Sequence, residues 1–293
     1  MKICINRETR EGPWGGGNKF LKAYIRGLKA AGHQIVHKLE PNIDLIHVQD
    51  PRLDHLGVSI REIIHYKRIY PDVKIIHRVN ECDARKGTIG MDKLLLLCSS
   101  ASDITVFVSD WIANHFESSW ECDNRLVIYN GVDQDIFRPN EKYNNKINIV
   151  AHHWSNNYLK GFDIYNKLDD WIGENRNEYT FTYIGREHGA FRNTRVIQPI
   201  HGKVLGDELG KYDVYVSASR FDPGPNHILE AVSCGLPTYS YVDGGGAYEF
   251  TGEKHVYSSF EELVEILKSK SFKKNETSVS SWEECVEQYM RLI

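Results

Sequence analysis

The sequence predicts an α/β protein, and three observations carry that prediction. Short apolar runs of strand length alternate with helix-period stretches from one end of the chain to the other. The junctions between them carry glycine or Pro/Gly loops, at Gly15 to Gly17, after Asp222 and at Gly244 to Gly246, of the kind that lets backbone approach an anion. At 293 residues the chain is long for one domain. It is natural for two of about 130 to 150 residues each.

Bulk composition narrows the function classes. Hydrophobic residues make up 41% of the chain, enough to fill real cores, and the net charge of −4 gives no case for nucleic acid as a partner. Six cysteines (Cys4, Cys82, Cys98, Cys122, Cys234, Cys285) are scattered without metal-ligand spacing, which reads as reduced thiols in a cytoplasmic protein. Met1-Lys2 leads straight into a strand-like run, so no signal peptide is expected, and the Asn275-Glu276-Thr277 sequon is read as chance. No apolar run approaches the ~20 residues that span a bilayer.

Taken in order, residues 2–6 form a first buried strand, followed by the loop GPWGGGNKF. Gly15 to Gly17 would let the backbone approach a bound anion. A helix with Phe20, Leu21, Tyr24, Ile25 and Leu28 on one face comes next and closes at Gly32. The loop is not a dinucleotide fingerprint, because GxGxxG is absent and no acidic residue closes a following strand at the ribose spacing. Strands are expected at 33–39 and 43–49, then a helix from Ser59 to Tyr70 stopped by Pro71. Its Arg61, Lys67 and Arg68 suit either a solvated face or peripheral contact with an anionic membrane. A strand ending at Asn80 and Glu81 follows, with His77 inside it and Arg78, Arg85 and Lys86 crowded at the same loop. Those three cations suit an anionic acceptor as well as solvent. A helix, a strand and a further helix around residues 110–116 complete this half.

The second half opens on a strand, KINIVAHHW, in which His152 and His153 should point to opposite faces, against a shared metal. Lys160-Gly161 precedes a helix, and the next strand ends at Gly185-Arg186, placing Arg186 at the ligand end of the sheet. VIQPIHGKV and DVYVSAS read as strands on either side of a short helix, GDELGKY.

Ser217 to Glu249 concentrates the chemistry. Asp222 and Glu230 are separated by seven residues, and a DPGP break begins at Asp222. Asn226 stands where a helix N-cap would, HILEAVSC is helix-like, and Gly235 with Pro237 is a stop signal. The free N–H groups near His227 and Ile228 would point at a phosphate, and the helix dipole would favour its charge. Glu230, about one turn in, can hold a sugar diol, and Asp222 can reach a second sugar. Taken alone, such a pair reads as a turn residue and a solvated helix acid.

The wider pattern decides between them. Asp222, Glu230-Ala231, Cys234-Gly235-Leu236-Pro237 and Gly245-Gly246-Ala247-Tyr248-Glu249 fall in one register. They resemble the donor-sugar signature of family four glycosyltransferases of the GT-B fold: acid, seven residues, Glu-Ala, Cys-Gly-x-Pro, Gly-Gly-x-x-Glu. The first acid of that signature is usually Glu, and here it is Asp222. RLVIYNGVDQDIFRP resembles the family's interdomain segment, so its Asp133-Gln134-Asp135 is not read as a metal-binding DxD. Lys160-Gly161 resembles the end of the family's Arg-x-x-x-x-Lys-Gly, whose two cations neutralise a nucleotide diphosphate. Ser155 occupies the Arg position, so one charge is missing unless His153, Arg186 or Arg220 supplies it.

The resemblance runs through nearly the whole chain and implies two Rossmann-like domains with parallel sheets facing across a cleft. Residues 1–139 would bind the acceptor, with a last helix near 280–293 crossing back onto them, and residues 140–279 would bind the donor. Asn80 and Glu81 align with a His and Asp near the donor sugar, and 201–204 with a backbone contact to the base. The implied reaction is retaining, metal-independent transfer of a hexose from a UDP- or GDP-linked donor to a carbohydrate, lipid or protein-linked hydroxyl. Asp222, Glu230 and Lys160 would be catalytic. Gly16, Gly17, Asn80, Arg186, Asn226, His227 and Ile228 would complete the donor site, with no cofactor and no metal. The alternatives on the same fold are a nucleotide-sugar epimerase or phosphorylase, or a degenerate sugar-nucleotide-binding protein.

Overall fold

In a computed structural model, which describes residues 1–12, 14–53, 57–117, 120, 125–140 and 145–293, the chain divides into two units. One comprises Met1–Glu11, Gly16–Asn130 and Trp282–Ile293, the other Gly12–Gly15 and Gly131–Ser281. Pro13 and Cys122 lie outside the described residues.

The first unit runs β1 (Lys2–Ile5), α1 (Gly16–Ala30), β2 (Gln34–Val36), β3 (Leu45–Val48), α2 (Ile60–Ile69), β4 (Lys74–Val79), α3 (Asp83–Lys86), α4 (Met91–Ser100), β5 (Ile104–Phe107), α5 (Asp110–His115) and β6 (Arg125–Val127). The strands pair in the order β2-β1-β3-β4-β5-β6, all parallel. Central strands covered on both faces read as continuous apolar runs rather than alternating ones, as β3 shows with all four residues buried. On α1, Phe20, Leu21, Tyr24 and Leu28 are buried and Ile25 is partly so, the face that the sequence periodicity marks. Helix α2 starts at a capping box in which Ser59 and Glu62 exchange bonds, which satisfies two of the amides a helix start leaves open.

The second unit runs β7 (Ile147–His153), α6 (Phe162–Asn175), β8 (Tyr179–Gly185), β9 (Arg195–Ile197), α7 (Gly202–Leu209), β10 (Val214–Ser217), α8 (Asn226–Ser233), β11 (Thr238–Tyr241), α9 (Tyr248–Thr251), β12 (Val256–Tyr257) and α10 (Phe260–Ser269). Its sheet is also parallel, in the order β12-β11-β10-β7-β8-β9. Read from the other edge this is the 3-2-1-4-5-6 order of a Rossmann sheet, whose order reverses between its first and fourth strands, here β7 and β10. One expected strand is shortened. Pro199 lacks the N–H needed to continue a ladder, so β9 ends at Ile197, and Gly202 to Val204 open helix α7 instead.

The last helix, α11 (Trp282–Met290), belongs to the first unit and lies against α1. Trp282, Cys285, Val286 and Tyr289 share the core of Phe20 and Tyr24, and Arg26 pairs with Glu283 at 2.7 Å. A side chain at Gly27 would meet Val286 at 2.6 Å, so glycine sets how closely these helices pack.

Candidate functional site

In an open parallel sheet, ligands bind beyond the carboxyl ends of the strands where the strand order reverses. In the second unit that point is the pair β7 and β10, and the loops leaving these strands carry the residues singled out in the sequence. Lys160 ends the loop after β7, and Asp222 follows β10. The Lys160 Nζ lies 2.6 Å from Asp222 Oδ2 and 3.2 Å from Ser219 Oγ. Gly161 makes the approach of the two loops possible: it has φ +94°, and a Cβ there would fall 2.3 Å from the Ala218 carbonyl oxygen. The Arg220 N–H donates to the Leu159 carbonyl at 2.9 Å, tying one loop to the other.

The triple glycine holds Asp222 from the other side. Gly246 N–H donates to the Asp222 carbonyl at 2.9 Å, Asp222 N–H to Gly244 at 3.3 Å and Phe221 N–H to Asp243 at 2.8 Å. Gly245 has φ +71°, and a Cβ on it would meet the Asp222 backbone at 2.6 Å, so no other residue fits. Phe221, at φ 52°, is a bulky residue in the left-handed region directly before the acid. Such backbone strain persists only where surroundings over-determine it, and it clusters at ligand sites.

Helix α8 begins one residue earlier than Asn226 as a cap would allow. Pro225 takes the cap place, because its carbonyl accepts from Ile228 at 2.9 Å and from Leu229 at 3.4 Å, and Asn226 is the first helical residue. Ile228 N–H is therefore spent inside the turn. The His227 N–H is the amide of this turn left without an internal acceptor among the described residues, so the expected pair of free amides becomes one.

Glu230, buried on α8, receives a hydrogen bond at 2.9 Å from His152 at the end of β7, a partner the sequence did not suggest. Its neighbour His153 turns to α6 and meets the Tyr165 hydroxyl at 2.8 Å, so the two histidines serve different helices as the alternation requires. His227 meets Ser217 Oγ at 3.0 Å and lies 4.6 Å, ring to ring, from His153. Burial holds His153 and His227 well below the usual histidine value, with Lys160 adding to the effect on both and Asp222 and Glu230 opposing it at His227. Both are neutral at physiological pH.

Of the groups named for the missing positive charge, Arg220 is committed: it grips Asp163 with two bonds of 2.7 Å and lies over Tyr241. Arg186 is exposed beyond β8, its guanidinium 4.0 Å from the ring centre of Trp154, which in turn packs on Trp14 at 5.1 Å. Among the described residues of the second unit no group of three His, Cys, Asp or Glu side chains could hold a metal, and the same is true of the first. Asn275 of the sequon uses its amide on the backbone of Thr238 and Thr251.

In the first unit the reversal of strand order falls between β1 and β3, and Gly16 and Gly17 open α1 there. A Cβ on Gly17 would lie 2.9 Å from the Gln49 amide and 3.3 Å from that of Asn80, so the glycine brings these two polar side chains against the helix start. His77 is fully buried with both ring nitrogens unpartnered, a core histidine, and burial lowers its pKa to about 3. Arg85 and Lys86 both pair with Glu81, which accounts for the charge crowded into that loop. Arg78, expected with Arg85 and Lys86 among the cations of that loop, lies instead within β4. It is fully buried, stacked on Phe20 at 4.1 Å and bonded to Asn130 at 2.6 Å. Arg61, His65 and Arg68 of α2 border an apolar groove of about 720 Å³ with Leu53, Ile69 and Leu97. Lys67 points elsewhere, to Asp103.

Solved structures share this architecture. The chain aligns over 99% of its length with sucrose-phosphate synthase from Thermosynechococcus elongatus, covering 98% of that chain at TM-score 0.71 and 12% identity. It aligns over 100% of its length with WaaG, a glycosyltransferase involved in lipopolysaccharide biosynthesis, covering 96% at TM-score 0.67 and 12% identity. With TarM the figures are 85% of this chain, TM-score 0.63 and 11% identity, and this chain spans only 54% of that protein. A TarM variant from S. aureus was solved with fondaparinux, alpha-GlcNAc-glycerol and UDP. No protein-family model and no curated protein matches the sequence. The fold is the GT-B fold of glycosyltransferases, as the donor-sugar signature implied.

Proposed function

We propose that the protein is a retaining, metal-independent glycosyltransferase that moves a hexose from a UDP- or GDP-linked donor to an acceptor hydroxyl in the cytoplasm. The observation that carries this reading is the convergence of Lys160, Asp222 and Glu230 at the reversal point of the second sheet, with the His227 amide at the start of α8. Glu230 holds the ribose diol, oriented by His152. Asp222, pinned by Gly244 to Gly246, accepts bonds from the donor sugar, and Lys160 with the first turn of α8 stabilises the leaving diphosphate. In the reaction the bond from the anomeric carbon to the diphosphate oxygen breaks, and a bond to the acceptor oxygen forms on the same face. The acceptor proton passes to the departing phosphate oxygen, so no side chain need act as base.

The first unit would present the acceptor near Gly17 and Asn80. The groove beside α2, apolar with Arg61 and Arg68 at its rim, speaks for a lipid-linked acceptor and peripheral contact with an anionic membrane. No helix among the described residues is long and apolar enough to cross one.

A test uses purified protein, UDP- and GDP-sugars, and a panel of glycan and lipid-linked acceptors in excess EDTA, with product anomers read by NMR. Transfer with retained configuration supports the proposal. Loss of activity in EDTA that Mn²⁺ or Mg²⁺ restores sinks the metal-free mechanism. Release of free nucleotide and isomerised sugar without acceptor identifies an epimerase, and absence of any donor cleavage identifies a binding protein.

A further inference from the structure

The charge around Lys160 does not balance a diphosphate. Lys160 pairs with Asp222, and Glu230 is a second carboxylate nearby, bonded to His152. His153 and His227 are neutral through burial, and the Arg220 charge is cancelled by Asp163. A diphosphate entering here carries more negative charge than Lys160 alone can match.

One arginine at the same strand ends keeps its charge available. Arg186 follows Gly185, the residue paired with His153 across β7 and β8, so the loops leaving these neighbouring strands start side by side. The two loops are clipped together: His188 Nδ1 meets the Asn156 carbonyl at 3.1 Å, His188 packs edge-on against Tyr158 at 5.4 Å, and the Arg186 guanidinium rests on Trp154. Among the described residues no carboxylate pairs with Arg186. Stacking on an indole face is a favourable way to hold a guanidinium while leaving its N–H edge open to an anion. We propose that Arg186, held on the face of Trp154, is the second cation of the diphosphate site and replaces the arginine that Ser155 displaces. The proposal rests on the nucleotide-sugar reading of the site.

The test is calorimetric binding of UDP, GDP, uridine, guanosine and inorganic pyrophosphate to wild type, Arg186→Ala, Trp154→Ala and Arg186→Ala/Ser155→Arg. A charge-assisted bond to phosphate predicts that Arg186→Ala weakens the better-bound nucleoside diphosphate about ten- to hundredfold. Binding of the nucleoside should hold within about twofold, and raised salt should shrink the gap. Trp154→Ala should lose a part of the same affinity, because the guanidinium is no longer held. The double variant should recover most of it, since a cation at 155 restores the charge from the neighbouring loop. Unchanged diphosphate binding in Arg186→Ala overturns the proposal, as does an equal loss for nucleoside and diphosphate, or a double variant no better than the single. Failure of wild type to bind UDP, GDP or pyrophosphate overturns this proposal and the nucleotide-sugar reading together, whereas wild-type binding undisturbed by Arg186→Ala overturns this one alone.

Discussion

Lys160 and Asp222 form one ion pair, 2.6 Å long and almost fully buried, although the sequence motif gives them separate tasks, one at the phosphate and one at the sugar. Each holds the other in place before any donor arrives. A buried pair of this kind contributes little net stability while intact, and much is lost when one partner goes.

Lys160→Ala therefore has two expected effects. Nucleoside diphosphate binding weakens by about 1.5–3 kcal/mol, the worth of a charged hydrogen bond, while nucleoside binding changes little. Thermal stability also falls, because Asp222 is left buried without its cation. Adding Asp222→Asn should recover the stability and not the diphosphate affinity. Equal losses for nucleoside and diphosphate in calorimetry would contradict the phosphate role.

Asp222→Glu restores the residue usual in the signature and should still slow transfer. The Asp222 backbone is fixed on both sides of Gly245, so the loop cannot retreat to make room for another methylene, roughly 1.5 Å of chain. Productive geometry tolerates errors of only about 1 Å. Steady-state kinetics with one donor decide it. A variant as fast as wild type or faster would show that Asp222 marks a partly degenerate site.

His152 and Glu230 should behave as a unit. Glu230→Gln is expected to raise the dissociation constant for the nucleotide, with a smaller effect on kcat, because it loosens the ribose. His152→Leu should mimic it by leaving the carboxylate unoriented, and His152→Gln, which keeps a donor, should recover most of the loss. In the double variant the two effects should not add, since the residues share one bond. Additive losses in binding would mean that His152 acts only through packing.

His47 and His77 predict acid sensitivity of the first unit. Both are fully buried with both ring nitrogens unpartnered, and both have pKa values lowered to about 3, chiefly by burial. Their folded values lie below the unfolded one, so the unfolded chain takes up protons that the folded chain refuses. Stability contributed by the neutral rings is present above about pH 6.5 and is lost as pH falls toward 3. The slope is about 1.4 kcal/mol per pH unit for each histidine. Denaturant midpoints for wild type and His77→Leu at pH 7 and pH 4.5 check the sign. The variant should lose less on acidification, and an equal loss in both would remove His77 from the account.

Much of the fold was legible because local patterns report backbone geometry. The apolar face of α1 and the continuous runs of β3, β4 and β10 are read directly from residue spacing, and Gly161 and Gly245 stand where only glycine fits. Some local readings went astray through competition that spacing does not reveal. Asn226 yielded the cap to Pro225, whose carbonyl was better placed to accept the first helical bonds. Gly202 to Val204 joined a helix once Pro199 had ended the strand.

Residue order alone specifies the class of architecture, the residues gathered into the signature and the departure at Asp222. Which charges meet follows from the folded packing. Lys160 and Asp222 are 62 residues apart, and His152 and Glu230 are 78 apart. Strand order, not sequence distance, made β7 and β10 neighbours and brought each pair together. The same packing cancelled Arg220 against Asp163 and left Arg186 stacked on Trp154. A buried charge is stabilised by whatever lies within a few ångströms of it, and in a parallel sheet those neighbours come from distant strands, beyond the reach of any local window.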